Sequence, residues 1–414
     1  MARLPLEDVR ILDLCWVLAG PHGTRLLADL GAEVIKIESK AKLDGWRTGL
    51  GLFREGVSSP LEEGSGLFQQ ENRNKIGLSL NLKIPEGREI FERLVKISDV
   101  VTSNFSAKGF IKMGLEWDNL QAINPQIIVV SMPGLGNWGP YSDFTTFGPS
   151  LQALTGMTGL TGFPGEEPVG VGASWADYLG GANMALSILG ALEYRRRTGK
   201  GQFIDISQQE ASLSILGSTL LDWAANQKKR ENHGNRHPVS AAAPHNCYKC
   251  LGEDRWCVIA VASDEEWMNL CKVMDDPPWT RESRFARLLD RIRNQDELDK
   301  LIEGWTINYS PEEVVEKLQK GRVSAGVVQN IEDLLRDPHL WERGFLVDLK
   351  LPHPERRPPN VVLSGVATPF SGKNFGIRRT APGRLGEPNE YILKDLLGMT
   401  KEEIERAAAK DSFK

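Results

Sequence analysis

Several residue types are scarce in this 414-residue chain, and each scarcity removes a class of function. Cysteine occurs five times. An odd number in a long chain argues against a disulfide scaffold and points to a reducing, cytoplasmic setting. The six histidines (His22, His233, His237, His245, His339 and His353) fall mostly in loops or turns. No Gly-x-Ser-x-Gly elbow accompanies them, so a hydrolase triad has no support. No Walker phosphate loop, internal repeat or low-complexity tract is present. The longest uncharged run, Asn119 to Ser142, contains Pro125, Pro133, Pro140 and three glycines. Such a run cannot form a membrane helix without many broken backbone bonds. The first apolar stretch carries Glu7, Asp8 and Asp13, which predicts no signal peptide. Net charge is only −5, which argues against non-specific binding to nucleic acid or membrane surfaces. What remains, at 41% hydrophobic and 25% charged residues, is the composition of an ordinary globular protein of roughly two or three domains.

The order of segments begins as alternating strand and helix. Strands are expected over residues 9–14, 32–37, 76–82, 99–102 and 127–132. Helices are expected over 20–30 and 85–97, where Pro21 and Pro85 stand in the first turns. A long irregular segment separates Glu38 from Asn72. This alternation predicts a mainly parallel, doubly wound α/β sheet. Longer helices follow over 178–197 and 208–227. A polar linker over 228–243 leads to a second unit with a hairpin around Gly252-Glu253-Asp254 and helices after Asp264, Asp296 and Pro311. A proline-rich segment, Pro352 to Pro382, precedes two closing helices.

Four constellations could carry chemistry. Asp177 precedes Gly180-Gly181 and an alanine-rich helical run. Glycines let a ligand approach the backbone, and a carboxylate at a helix start feels the positive end of the dipole, which favours its ionised form. A helix N-cap is the competing reading of Asp177. Gly134-Leu135-Gly136-Asn137-Trp138-Gly139 matches the dinucleotide fingerprint literally. Pro140 follows instead of a helix, and no acidic residue stands ~20 positions on, so the segment reads as a tight loop against which a substrate could pass. His245, Cys247, Cys250 and Cys257 lack the second ligand pair of a zinc site and read as hairpin residues. Basic residues Arg25, Lys36, Arg47, Arg73, Lys75, Lys108 and Lys112, read as standing on loops, would together suit an anionic ligand with several phosphates.

The chain resembles family III CoA-transferases. The resemblance rests on Val9-Arg10-Ile11-Leu12-Asp13-Leu14, Ala19-Gly20-Pro21, the stretch Leu27 to Glu38, Asn72-Arg73-Asn74-Lys75, Asn104-Phe105, Met113-Gly114-Leu115 and Ser131 to Pro140. It continues through Asp177 with Gly181, Arg197 to Gln202, Asp205-Ile206-Ser207, Asp337-Pro338-His339 and Leu385-Gly386-Glu387. The resemblance implies a Rossmann-like, doubly wound large domain built from residues 1–225 and 335–414, and a smaller α/β domain over 235–330. It implies two chains interlocked as a dimer, either a homodimer or a heteromer with a related subunit.

The resemblance also implies an enzyme that passes coenzyme A from an acyl-CoA to a carboxylic acid, with CoA as part of the substrate and no tightly bound cofactor or metal. Asp177 would be the nucleophile, working through an aspartyl anhydride and an aspartyl-CoA thioester. Arg25, Lys36, Arg73, Lys75, Asn104 and Lys112 match the region that holds CoA in relatives, with Lys112 where arginine is often found. Backbone amides around Gly134, Gly136, Gly180 and Gly181 would supply oxyanion donors. Racemases in the family need a histidine where this chain has Thr146-Phe147-Gly148-Pro149. Phe147 to Gly156, Gly172 to Asp177 and Asn72 to Lys75 are similar to the branch that uses succinyl-CoA as donor and an aromatic succinate as acceptor; lining an aromatic pocket and packing into the core are equal readings of Phe147 and Trp175. A non-catalytic CoA-binding subunit, or an oxidoreductase using the Gly134 loop, are the readings from other classes.

Overall fold

The computed structural model describes residues 4–47, 65–228, 232–237, 239, 241–350, 360–367 and 376–414. They divide into two compact units, one of Met1–Met157, Val171–Lys228 and His339–Lys414, the other of Thr158–Gly170 and Lys229–Pro338.

The first unit begins with β1 (Arg10–Asp13), α1 (Ala19–Asp29), β2 (Glu33–Glu38), α2 (Gly66–Asn72), β3 (Ile76–Ser79), α3 (Pro85–Lys96) and β4 (Val100–Ser103). It continues with α4 (Ala107–Lys112), α5 (Trp117–Ile123), β5 (Ile128–Ser131), α6 (Gly148–Leu154), α7 (Trp175–Thr198), β6 (Gln202–Asp205), α8 (Gln208–Leu213) and α9 (Gly217–Asn226). Strands β1 to β6 form one parallel sheet in the order β3-β2-β1-β4-β5-β6. This is a Rossmann-like, doubly wound order that reverses direction between β1 and β4.

Both faces of the sheet are covered, so its strands read as continuous apolar runs. Alternate residues enter opposite cores. Leu12, Ile35, Val101 and Val129 pack toward Phe91 and Leu94 of α3. Ile11, Val34, Val100, Ile128 and Val130 pack toward Leu27 of α1 and Met184 and Ile188 of α7. Ile392, Leu393, Met399 and Ala407 from the end of the chain complete the α3 side. Residues 178–197 were expected to be helical, and α7 starts three residues earlier and closes on Gly199, whose φ of 70° is the left-handed cap that glycine accommodates. The helix expected over 208–227 is broken. A 3₁₀ turn, Ser214–Leu216, separates α8 from α9. Ser212 and Ser214 hydroxyls bond back to the carbonyls of Gln208 and Ala211, which competes with helical continuation. Strand β6 was not foreseen, being four residues at the sheet edge.

The second unit holds β7 (His245–Lys249), β8 (Trp256–Ala260), α10 (Asp264–Val273), α11 (Leu288–Arg293), α12 (Gln295–Thr306), α13 (Pro311–Lys320), β9 (Ser324–Val327) and α14 (Ile331–Arg336). The antiparallel sheet β7-β8-β9 packs Tyr248, Cys257 and Ile259 against Trp267, Leu270, Ile302 and Leu318. Cys250 belongs to the same core, and burial pushes the Cys247, Cys250 and Cys257 thiols up. Helix α15 (Pro338–Glu342), the hairpin β10 (Leu346–Lys350) and β11 (Asn360–Ser364), a π-helical turn over Tyr391–Leu396 and α16 (Lys401–Ala409) end the chain. Part of the irregular segment (48–64), part of the expected linker (229–231, 238 and 240) and much of the proline-rich stretch (351–359 and 368–375) lie outside the described residues.

Candidate active site

Asp177 occupies the third position of α7, and Ser174 stands at the N-cap. The capping role allowed for Asp177 is therefore corrected. The Asp177 amide donates to the Ser174 carbonyl at 3.0 Å. The carboxyl group is half-buried and lies against Gly148, the first residue of α6. A Cβ placed on Gly148 would lie 2.5 Å from Asp177 Oδ2 and 2.5 Å from Ser174 Oγ. Burial pushes the carboxyl up to about 6, against the nearby Ser174 hydroxyl, which pulls it down. The helix start does not hold the carboxyl within its ordinary range, because desolvation dominates, yet a group titrating at about 6 is still ionised at neutral pH.

Gly180 and Gly181 are not loop glycines. They are buried inside α7, where backbone amides are committed to carbonyls four residues earlier. Their assignment as oxyanion donors is corrected, and their use is contact between helices. A Cβ on Gly181 would lie 2.5 Å from the Ala19 carbonyl oxygen, and one on Gly23 would lie 2.7 Å from the Gly181 carbonyl oxygen. Helices α1 and α7 therefore touch backbone to backbone just past Asp177. His22, on the same face of α1, sets its ring edge against Tyr178 at 4.9 Å.

Gly134 and Gly136 do lie in a loop, directly after β5. A side chain on Gly134 would collide with Thr146, and Gly136 has φ of 82°. Neither amide donates a hydrogen bond among the described residues. No helix opens after this loop until Gly148, which removes the context a dinucleotide fingerprint requires.

In a doubly wound sheet, ligands bind beyond the carboxyl ends of the strands, where the strand order reverses. Here that point lies between β1 and β4, and Asn104 spans it. Asn104 Oδ1 accepts from the Trp16 amide, and its Nδ2 donates to the Trp16 carbonyl, both at 2.8 Å. Trp16 packs edge-on to Phe105 at 5.0 Å, and Lys42 lies over its ring at 4.6 Å. Helix α7 returns the chain to the amino end of β6, so its own start, with Asp177, stands at the carboxyl edge of the same sheet.

The expected cations separate into two groups. Lys36, Arg73 and Lys75 are fully buried, and Arg25 nearly so. Lys36 donates to Asp44 and to the Cys15 carbonyl, both at 2.8 Å. Lys75 donates to Asp13 at 2.9 Å. Arg73 grips Asp29 through Nε and Nη2 at 3.1 and 2.8 Å, and Arg25 meets the same carboxylate at 3.2 Å. Arg47 is likewise buried and paired with Glu38. These residues stand on strands, helices and in the interior, not on exposed loops, so the picture of a free cationic surface is corrected for them. Only Lys108, paired with Asp143, and Lys112, at the end of α4, are exposed.

Sequence reasoning missed Ser174 and Gly148 beside Asp177, and Glu71, whose carboxylate lies 3.0 Å from His22 Nδ1. It also missed the role of Asp13, held down to about 2 because Lys75 and Lys36 outweigh the opposing effect of burial. Only the glycine at 148 carried a local signal, since Gly-Pro can open a helix.

A doubly wound sheet with a half-buried carboxyl at its carboxyl edge, in no ion pair among the described residues, defines an α/β enzyme site. Comparison makes this specific. Residues 6–389 match the family model described as CoA-transferase family III, and the chain belongs to that family. It is similar to the succinyl-CoA–D-citramalate CoA-transferase of Chloroflexus aurantiacus, with 36% identity over 407 residues, 98% of this chain and 97% of the relative. It is also similar to the beta subunit of succinyl-CoA–L-malate CoA-transferase of the same organism, with 31% identity over 403 residues, 97% of this chain and 96% of the relative. Among solved structures it resembles a CaiB/BaiF family protein of Brucella suis, with a TM-score of 0.85 and 31% identity, covering 95% of this chain and 100% of that one. The protein is thus a CoA-transferase that moves CoA from an acyl-CoA to an acid.

Proposed function

We propose that Asp177 is the nucleophile of a succinyl-CoA-dependent transfer. Its carboxylate attacks the thioester carbonyl, the carbon–sulfur bond breaks, and CoA leaves as thiolate, giving a mixed anhydride. The thiolate then attacks the aspartyl carbonyl and expels the donor carboxylate, leaving an aspartyl-CoA thioester. The acceptor carboxylate adds to that thioester and re-forms an anhydride. Return of the thiolate to the acceptor's carbonyl frees the new acyl-CoA and restores Asp177. The observation that carries this reading is a half-buried carboxyl with a pKa raised to about 6 and, among the described residues, no cation paired to it, set against a glycine that leaves it room. Such a group is ionised at neutral pH yet poorly solvated, as a nucleophile should be.

CoA is taken to bind beyond the carboxyl ends of β1 and β4, near Asn104 and Lys112, with the buried cations Arg25, Lys36, Arg73 and Lys75 shaping the floor of the site from beneath. The amides of Gly134 and Gly136, which donate to nothing among the described residues, are the oxyanion donors in this scheme. The names of the relatives support succinyl-CoA as donor and a dicarboxylic acid as acceptor. A second reading, an aromatic succinate as acceptor, is favoured by Phe147 and Trp175. Both rings are exposed; Phe147 directly precedes Gly148, and Trp175 stands two residues before Asp177. A cytoplasmic enzyme assembled as an interlocked homodimer, or as a heteromer with a related subunit, completes the proposal.

The test is to incubate the protein with succinyl-CoA, then hydroxylamine, and locate the modified residue by mass spectrometry. A hydroxamate at Asp177 is expected, and protein unmodified by every donor in a panel of acyl-CoAs would count heavily against the scheme. Full activity in a complex carrying Asp177→Ala would instead assign this chain the role of a non-catalytic subunit.

A further inference from the structure

We propose that Ser174 is a positioning residue for the Asp177 carboxylate, its hydroxyl donating to that group where an ordinary helix-capping serine would accept from the backbone. This rests on Asp177 being the nucleophile.

The molecule contains its own comparison. Among the described residues, Ser65, Ser106, Ser207, Ser263 and Ser310 precede α2, α4, α8, α10 and α13, and each side chain accepts a hydrogen bond from the third amide of its helix. That is the usual use of an N-cap serine. Ser174 precedes α7 and makes no such bond. Its backbone, at φ −78° and ψ 64°, departs from the extended conformation of Ser65 and Ser310. Its Oγ and Asp177 Oδ2 crowd the same point above Gly148, each 2.5 Å from where a Cβ would stand. The hydroxyl therefore stands beside the Asp177 carboxyl, where it favours the charged form. One cap is thus given up on α7, and the group that gains the donor is the proposed nucleophile.

The other ionisable groups near α7 are engaged elsewhere. On α1, His22 and Arg25 are joined to each other at 2.9 Å and both approach Glu71 of α2. Tyr178, the next residue of α7, sets its ring against His22. Asp205 of β6 accepts from Asn137, Glu210 lies on α8, and α6 and β5 carry no ionisable residue. No ion pair joins any of them to Asp177 among the described residues. Ser174 is therefore the polar neighbour that sets the carboxylate.

The test reads the carboxyl directly. Infrared difference spectra between the full-length protein and its Asp177→Asn variant, recorded across pH, isolate the Asp177 carboxyl band. Ser174→Ala, and Ser174→Gly as a second variant that helix starts tolerate, should move its midpoint up by about one pH unit, the loss of a hydrogen bond to a charged group. Ser174→Thr should return it. Thermal unfolding should be nearly unchanged in Ser174→Ala, since no cap is lost. A midpoint unmoved in both hydroxyl-free variants would overturn the proposal. The nucleophile reading fails separately, if Asp177→Asn still transfers CoA from succinyl-CoA at the full rate.

Discussion

Gly148 and Asp177 meet with no room for a side chain between them: a Cβ on Gly148 would come within 2.5 Å of Asp177 Oδ2. The carboxylate can stand at the start of α7 only because α6 begins with a glycine. Alanine there is compatible with the φ of Gly148, which is not left-handed, but it must displace both the carboxylate and the Ser174 side chain, by on the order of 1 Å. A displacement of that size at a reacting group lowers rates by about 10²-fold. Gly148→Ala should therefore fold normally, as judged by its thermal midpoint, while hydroxamate formation at Asp177 slows by about two orders of magnitude.

The raised pKa of Asp177 fixes two pH dependences. The nucleophile must be ionised, so transfer should rise with pH through about 6 and then level off. Stability should run the other way. A carboxyl whose folded pKa lies above the ordinary carboxylate value binds its proton more tightly when folded, so it penalises folding as pH climbs from about 4 through about 6. Asp177→Asn should therefore be more stable than the parent at pH 8 by about 1–2 kcal/mol, allowing for partial solvent exposure, and equal to it at pH 4. Urea midpoints at the two pH values check this, and an unchanged difference between them would contradict it.

The sheet was legible because a strand covered on both faces must be apolar throughout, and Ile11-Leu12, Val34-Ile35 and Val100-Val101 each send one residue to either core. The site was legible only in part. Asp177 stood out beside its glycines, but the meaning of those glycines was not local. Gly181 is small because Ala19 and Gly23 of α1, some 160 positions earlier, press against it. Lys36 and Lys75 resembled surface cations because a charge in a short motif carries no sign of burial. Their partners Asp44 and Asp13 lie 8 and 62 positions away, and only the fold brings the latter pair together. Ser174 gave no signal, since a serine before a helix ordinarily caps it.

Asp13 and Lys75 tie the end of β1 to the residues preceding β3. Both are fully buried, and Thr24 also donates to Asp13 at 2.8 Å. Removing one partner leaves a buried charge without compensation, which costs about 3–5 kcal/mol. Asp13→Asn should be destabilised by about that amount at pH 7. The parent should keep the contribution of this carboxylate above about pH 4 and lose it as pH falls toward about 2, because the folded pKa lies below the ordinary carboxylate value. Asp13→Asn should lack that acid-sensitive component, which comparison of urea midpoints from pH 5 downward would reveal.

The two groups of cations should also differ in kinds of effect. Lys112 is exposed at the end of α4, the helix that follows β4 and Asn104. If it meets a phosphate of CoA, it does so as a screened point charge, worth about 1 kcal/mol, or roughly fivefold in affinity. Lys112→Ala should accordingly raise KM for succinyl-CoA about fivefold, leave kcat and the thermal midpoint unchanged, and lose the effect at high salt. Arg73→Ala should do the opposite. Its guanidinium is buried and grips Asp29 through two nitrogens while donating to the carbonyls of Ser364 and Gly365. Its loss strands Asp29 and releases the chain's return segment, so the midpoint should fall by several degrees and salt should not restore it. An Arg73→Ala protein as stable as the parent, but with a salt-dependent rise in KM, would show that Arg73 meets CoA after all and that its pairing with Asp29 gives way when the substrate binds.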